Sequence, residues 1–172
     1  MLNVFLSPEI RVEMSPLSDF AKEYKMLPDR ILNSPIENYM HGLHSDINDL
    51  DEGTIQNKID GLRRETEAYN ELKQKYPETE GYEIISEAIL RDKDGNIVRD
   101  PVSDTGRRID YVVVKDGRVV DSVEVTSMTA DKTEQCAKEQ RIREAGGNYV
   151  RTADGSLAEF PSDTQTRIDR RE

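Results

Sequence analysis

The chain has few of the residues that build disulfides or nitrogen- and sulfur-ligated metal centres. Its 172 residues include one cysteine, Cys136, and two histidines, His41 and His44. A single thiol excludes a disulfide framework and a cysteine-based zinc site within the chain. Two histidines leave no material for a histidine-rich metal cage.

Long apolar runs are also absent, and negative charge exceeds positive charge. No run reaches the roughly 18 apolar residues of a membrane-spanning helix, so no membrane partner is expected. No charged segment followed by an apolar stretch predicts a signal peptide. Lys and Arg number 24 against 35 Asp and Glu, giving a net charge of −11. This balance excludes nucleic-acid binding through bulk charge, so any such site must be a local basic patch.

The length suits one domain of ordinary size with a short appendage. Four prolines divide the first 35 residues into pieces too short for a long helix. Residues 1–53 are therefore interpreted as an N-terminal helical segment for docking or linking. Residues 54–160 are predicted as the main domain and residues 161–172 as a C-terminal tail.

Within the main domain, the hydrophobic pattern changes from helical to extended after Pro77. Residues 54–75 carry apolar side chains near a 3.6-residue period, which predicts a helix. The Asp116-Gly117 dipeptide between two β-branched runs is a strong hairpin signal. The remaining elements follow from similar patterns: strands over 82–90, 109–115, 118–126 and 148–151, and a second helix over 130–145. The sequence therefore predicts an α/β fold with a mixed sheet flanked by helices.

The predicted hairpin brings two carboxylates together. Asp110 and Glu124 lie about equally far from the turn, so antiparallel pairing sets them side by side. A carboxylate among apolar strand residues is costly unless a cation neutralises it. Oxygen ligands of this kind suit Mg²⁺ or Mn²⁺, which makes Asp110 and Glu124 candidate metal ligands.

A lysine on the second helix is a candidate partner for this pair. At about 100° per residue, Lys138 falls inside the apolar arc of the helix, close to Ile142. Lys132 falls at the edge of the arc, and Gln135 lies beside Ile142. A lysine in a buried stripe needs a counter-ion, for which the strand carboxylates are the nearest candidates. The alternative is that Lys138 extends to solvent.

These residues, in this order, resemble the PD-(D/E)xK nuclease superfamily. The resemblance rests on Arg108-Ile109-Asp110, on Glu124-Val125-Thr126 and on the helix KTEQCAKEQRIREA. Over roughly residues 55–155 the chain is similar to the C-terminal nuclease domains of bacterial polymorphic toxins, including contact-dependent growth inhibition toxins. The resemblance implies a restriction-endonuclease-like core and an acidic site that binds a divalent cation.

The resemblance also implies roles for further residues. Thr126 stands where the superfamily keeps its Glu-x-Lys lysine, so Lys138, or failing it Lys132, is expected to supply that charge. Thr126 itself is a candidate to hold a water beside the metal. A third acidic ligand is expected from upstream, with Glu87 favoured and Glu67 and Glu71 as alternatives. The candidate substrate contacts are Gln135, Arg107 and Arg108.

The implied function is metal-dependent hydrolysis of phosphodiester bonds in DNA or RNA, with tRNA among the possible substrates. The resemblance further implies a secreted or cell-surface-delivered toxin domain that acts in the cytoplasm of a target cell. A cognate immunity protein would inhibit it there. Two alternatives stay open: a catalytically inactive nuclease-like binding or adaptor module, and a delivery function carried by the N-terminal segment.

Overall fold

A computed structural model describes residues 52–172, which form a six-stranded mixed sheet with two helices. The predicted α/β class is thereby confirmed. The predicted N-terminal segment lies outside the described residues, except for residues 52 and 53, which begin the first helix. The elements in chain order are α1 (Glu52–Lys75), a 3₁₀ turn (Glu78–Glu80), β1 (Tyr82–Ile89), β2 (Arg108–Lys115), β3 (Arg118–Ser127), α2 (Thr133–Glu144), β4 (Tyr149–Arg151), β5 (Leu157–Glu159) and β6 (Arg167–Arg171).

β1, β2 and β3 form an antiparallel meander, and β3 is its most connected strand. On its other side, β3 pairs in parallel with two separate strands. Its first residue, Arg118, pairs with Glu159 of β5, and its C-terminal half pairs with β6. β4 then adds to β5 in antiparallel orientation. Two short strands thus share one edge of β3.

Alternating side chains of the hairpin divide the core into two clusters on opposite faces of the sheet. Val112 belongs to the cluster that contains Ile142 of α2. Val113 belongs to the other cluster, which contains Ala68 and Leu72 of α1. The two helices therefore cover opposite faces of the sheet. Within residues 52–172, neither helix combines the length and the hydropathy that a membrane crossing needs.

The hairpin turn is the one that its dipeptide predicts. Asp116 and Gly117 have φ angles of 50° and 72°, as a type I′ turn requires of its two central residues. A turn of this type matches the right-handed twist of the flanking strands. The register of β2 and β3 is consequently set from the turn outwards, apart from one irregularity between Val113 and Val114.

α2 is shorter than predicted and ends where its glycines allow the chain to turn back closely. A Cβ atom on Gly147 would lie 2.6 Å from Cγ2 of Ile142, so a larger residue would push against this buried side chain. Gly147 also donates its N–H to the Ile142 carbonyl. The glycine thus lets the chain return into β4 directly beneath the helix.

The last segment is a strand of the sheet, whereas the sequence predicts a tail there. β6 pairs with β3 from Val123–Arg167 to Ser127–Arg171. Its sequence, RIDRR, lacks apolar alternation, so no strand signal is present. The Arg171 guanidinium donates to both oxygens of Glu71 on α1, at 2.9 and 2.6 Å, and to Asp169 at 2.7 Å. Ion pairs and the pairing with β3 therefore hold β6 in the sheet, although its own sequence does not favour a strand.

Arg171→Ala tests this attachment. It removes both the two-pronged ion pair with the exposed Glu71 and the ion pair with the half-buried Asp169, so we expect the free energy of unfolding to fall by about 1–2 kcal/mol. Arg118→Ala is the control, because its contact with Glu159 spans 3.9 Å between exposed side chains. We expect the control to lose less than about 0.5 kcal/mol in urea denaturation. Equal losses in both variants would contradict this account of β6.

Candidate active site

Asp110 of β2 and Glu124 of β3 lie opposite each other near the open end of the hairpin. The register pairs Tyr111 with Val123, and one step further along the strands Asp110 faces Glu124. The Asp110 Oδ2 accepts a hydrogen bond from the backbone N–H of Val125 at 2.8 Å. Glu124 is only 2% exposed. The side-by-side placement that the sequence predicts is therefore present in the structure.

Two cations neutralise Glu124, one at each carboxylate oxygen. The Arg107 Nη2 donates to Oε2 at 2.6 Å, and the Lys132 Nζ donates to Oε1 at 3.1 Å. Arg107 precedes β2 and Lys132 immediately precedes α2. Two segments far apart in the chain therefore converge on one buried carboxylate.

The two arginines before Asp110, both predicted to contact substrate, lie in different surroundings. Arg107 is buried, and its charge is committed to Glu124. Arg108 is exposed and pairs with the exposed Glu87 at 3.2 Å. Of these two predicted substrate contacts, Arg108 is the one that lies at the surface.

The structure also reverses the expected order of the two lysines. The Lys138 Nζ donates to the Thr105 hydroxyl at 2.6 Å, in an exposed contact on the loop before β2. Lys132 contacts Glu124 instead. The helix-wheel expectation for Lys138 is therefore wrong, because the buried charged residue on α2 is its neighbour Glu139. Glu139 faces the Arg107 Nε across 3.7 Å.

Glu65 of α1 is an acidic neighbour of the site that the sequence analysis missed. Partial loss of hydration at its carboxyl group, together with the charges of Asp110 and Glu87, raises the pKa of Glu65 to about 7, although much of the residue faces solvent. The Tyr111 hydroxyl donates to the Glu65 carbonyl at 3.1 Å and holds this turn of α1 against β2. Glu65 lies one helical turn from both Leu62 and Ala68, which are buried. That spacing is the sequence signal from which the position of Glu65 near the sheet could have been predicted.

Asp110 shows the same crowding of negative charge. Burial and the charge of Glu124 together raise the pKa of Asp110 to about 6, against the hydrogen bond from Val125 and the charge of Lys132. Two carboxyl groups with raised pKa values, on α1 and on β2, indicate a niche in which negative charge exceeds the cations supplied.

Glu87 contributes charge to this niche from an unusual backbone conformation. It lies in β1 at the position facing Asp110, and its φ angle is 51°. A left-handed conformation at a non-glycine residue inside a strand costs about 1–2 kcal/mol. The alternatives considered for its role, Glu67 and Glu71, instead lie beside Arg171.

The two remaining predicted residues lie near the carboxylate pair. Thr126 is buried two positions beyond Glu124 on β3. Gln135 is half-buried in the first turn of α2, close in sequence to Lys132.

Arg170 of β6 organises the loop that leads to Lys132. Its Nη1 donates to the carbonyl oxygens of Ser127, Met128 and Ala130, at 3.3, 3.2 and 2.8 Å. These three acceptors belong to the loop between β3 and α2. A single guanidinium therefore fixes the path of the chain just before Lys132.

The donor set has the oxygen chemistry that Mg²⁺ and Mn²⁺ prefer. In the part of the chain that the structure describes, however, no three Asp, Glu, His or Cys residues are grouped so as to hold a metal ion. The contacts of Glu124 supply a physical reason, because both of its oxygens already accept from cations. Each carboxylate oxygen has two lone pairs, so Glu124 can ligate a metal only through the lone pairs that Arg107 and Lys132 leave free.

The raised pKa of Glu65 predicts a pH-dependent gain in stability for Glu65→Gln. Its pKa of about 7 exceeds the ordinary value of 4.5, so the folded chain binds this proton more tightly than the unfolded chain. The free energy of unfolding therefore falls as pH rises towards 7. Glu65→Gln should exceed wild type by about 1 kcal/mol at pH 8, allowing for solvent screening, and match it near pH 4.

The control for this measurement is Glu67→Gln, the same change at another exposed position of α1. We expect it to gain nothing at pH 8, because its carboxylate faces Arg171 at 3.9 Å. Urea denaturation at the two pH values gives the comparison. A loss of stability in Glu65→Gln at pH 8 would show that this carboxyl group is not crowded.

Comparisons with protein family models, with curated proteins and with solved structures find no match for this chain. The contacts among Asp110, Glu124 and Lys132 are therefore the observations from which a function has to be inferred.

Proposed function

We propose that the described domain is a metal-dependent nuclease with a restriction-endonuclease-like core. The observation that carries the proposal is the contact of Lys132 with Glu124, directly across the hairpin from Asp110. An acidic pair beside a lysine is the constellation that the resemblance to PD-(D/E)xK nucleases implies. The antiparallel meander between two helices supports the same core.

The metal would be held by Asp110 and Glu124, with a further carboxylate from Glu65 or Glu87. When bound, Mg²⁺ or Mn²⁺ lowers the pKa of a water ligand and neutralises phosphate charge. The crowding that raises the pKa values of Glu65 and Asp110 supports a cation site, because a divalent ion would replace the bound protons.

Lys132 would supply the positive charge that Thr126 cannot. Its side chain is 18% exposed and its ammonium is a compact point charge on a flexible stem. Such a group can remain near Glu124 and also turn towards a phosphate oxygen. The clamp of Arg170 on the preceding loop keeps the start of this side chain in place.

The biological setting follows from the same resemblance. We propose a toxin domain delivered from outside a cell, acting on DNA or RNA in the cytoplasm of the target and inhibited by a cognate immunity protein. The net charge of −11 argues that the nucleic acid is held at a local site instead of by the whole surface.

A second candidate function is a nuclease-like binding module without catalytic activity. The specific observation that favours it is the occupation of both Glu124 oxygens by Arg107 and Lys132. In such a module the protein's own cations would permanently neutralise the carboxylate. Binding of a divalent metal separates the two candidates, because the module requires none.

The proposed nuclease function predicts that cutting depends on a divalent cation. Purified protein should bind Mn²⁺ in calorimetry and cut DNA or RNA in Mg²⁺ or Mn²⁺, and EDTA should stop the cutting. Asp110→Asn should lose both properties while its thermal stability stays at or above wild type, because it removes a crowded charge. Cutting that persists in EDTA would remove the metal from the proposal. Absence of both metal binding and cutting would favour the binding module.

The proposal also predicts different effects on the cutting rate for the two lysines, Lys132 and Lys138. Lys132→Ala should lower the cutting rate about 10²-fold or more, as expected when a charge-stabilising group is removed. Lys138→Ala is the matched control six positions along the chain, within α2, and it should cut at nearly the wild-type rate because its ammonium contacts Thr105. Initial rates in Mg²⁺ measure both. Loss in Lys138→Ala with retention in Lys132→Ala would restore the assignment expected from the helix wheel.

A further inference from the structure

A cavity of about 580 Å³ lies between α2 and the segment that leads into β6. It is separate from the niche of Asp110, yet it shares one residue with the site, the buried Arg107. Its volume falls within the range of small-molecule sites in proteins. Neither the metal nor the lysine of the proposed mechanism uses it.

The floor of the cavity holds polar groups with hydrogen-bonding capacity to spare. In the described range, 52–172, the Arg107 Nε is buried and has no hydrogen-bond partner. Glu139 also lines the cavity, and its side chain is 9% exposed. Its Oε1 accepts from the Thr166 hydroxyl at 2.5 Å, whereas its Oε2 lies 3.7 Å from the Arg107 Nε. The Arg107 Nε is enclosed by protein, so the group that the floor presents to a ligand is the Glu139 Oε2 acceptor.

The walls add neutral hydrogen-bonding groups in place of excess charge. Gln140, Asn148 and Gln165 contribute amides, and Ser162 contributes a hydroxyl. The charged lining residues balance, with two arginines against two glutamates. Such a lining suits a neutral, planar heterocycle better than a phosphate, which would require net positive charge.

The position of the cavity relates it to the proposed chemistry. Arg107 bonds Glu124 through Nη2 and lines the cavity, so one guanidinium separates the two spaces. Ile168, another lining residue, is the β6 neighbour of Glu124 in the sheet register. A ligand in the cavity would therefore lie on the far side of the Arg107–Glu124 pair.

We propose that this cavity binds one unpaired nucleobase of a nucleic-acid strand, read by the Glu139 Oε2 acceptor and the amide groups of the walls. Every common base carries an adjacent donor and acceptor on its pairing edge, and proteins recognise unstacked bases through that edge. This inference rests on the proposed nuclease function and names its substrate class as a strand with an extruded or single-stranded base.

The single cysteine of the chain gives a direct test. Cys136 is exposed and lines the cavity, so a bound base should shield its thiol. Nucleoside 5′-monophosphates should slow the reaction of Cys136 with a thiol reagent in EDTA, where no cutting is expected. Ribose 5-phosphate, which lacks a base, should leave the rate unchanged. Denatured protein should show no protection by either compound.

Glu139→Gln tests the floor, because it replaces a carboxylate acceptor by an amide. We expect the protecting concentration of nucleotide to rise about tenfold, as for loss of a hydrogen bond to a charged group. Glu134→Gln is the matched control, since it makes the same change on α2 at an exposed position outside the cavity. If Glu139→Gln does not fold, alkylated wild type replaces it: modified Cys136 should abolish nucleotide binding in calorimetry without lowering the melting temperature.

The outcomes separate this inference from the proposed function. Protection by nucleotides that Glu139→Gln weakens supports the base site, whether or not the protein cuts nucleic acid. No protection by any nucleotide overturns the base site and leaves the metal and lysine predictions standing. Equal protection by ribose 5-phosphate overturns the assignment of a base, because sugar and phosphate would then account for binding.

Discussion

A buried carboxylate in the middle of an apolar strand is the constraint on which the rest of this domain depends. Glu124 lies between Val123 and Val125, and transfer of such a charge from water costs several kcal/mol unless partners replace its hydration. The two partners, Arg107 and Lys132, lie on opposite sides of the hairpin in the sequence, one before β2 and the other before α2. Satisfying one charge therefore fixes both the entry of the chain into β2 and the start of α2.

The need to pair buried polar groups extends from Glu124 across α2 to the segment before the C-terminal strand. Arg107 faces Glu139, Glu139 accepts from Thr166, and Thr166 shares a hydrogen bond of 2.7 Å with Ser122 on β3. This polar chain leaves β3 at Ser122 and returns to it at Glu124. Inside a protein such a network holds its members in one arrangement, because breaking any contact leaves a buried polar group unsatisfied. The segment before β6 is thus placed by the charge on β3.

The features that follow from local physics could be predicted from the sequence, and those that depend on distant partners could not. The hairpin followed from β-branched runs about Asp116-Gly117, so the proximity of Asp110 and Glu124 could be predicted. The register irregularity that sets them directly opposite each other could not, because no residue pattern marks it. Lys132 could not be assigned on a helical wheel, because it precedes the first residue of α2 and helical periodicity does not apply there. β6 had no apolar pattern to detect, since β3 and Glu71 stabilise it from outside.

The attachment of β6 also determines how the domain must fold. The contact between Glu71 and Arg171 joins residues 100 positions apart, and the parallel pairing of β3 with β6 closes a long loop. Contacts of such sequence separation raise the contact order and slow folding, since loop-closure entropy is lost before the contacts form. The meander of β1 to β3 needs only local closure and can form earlier. We therefore expect the clamp of Arg170 on the loop before Lys132 to form late in folding, once β6 has docked.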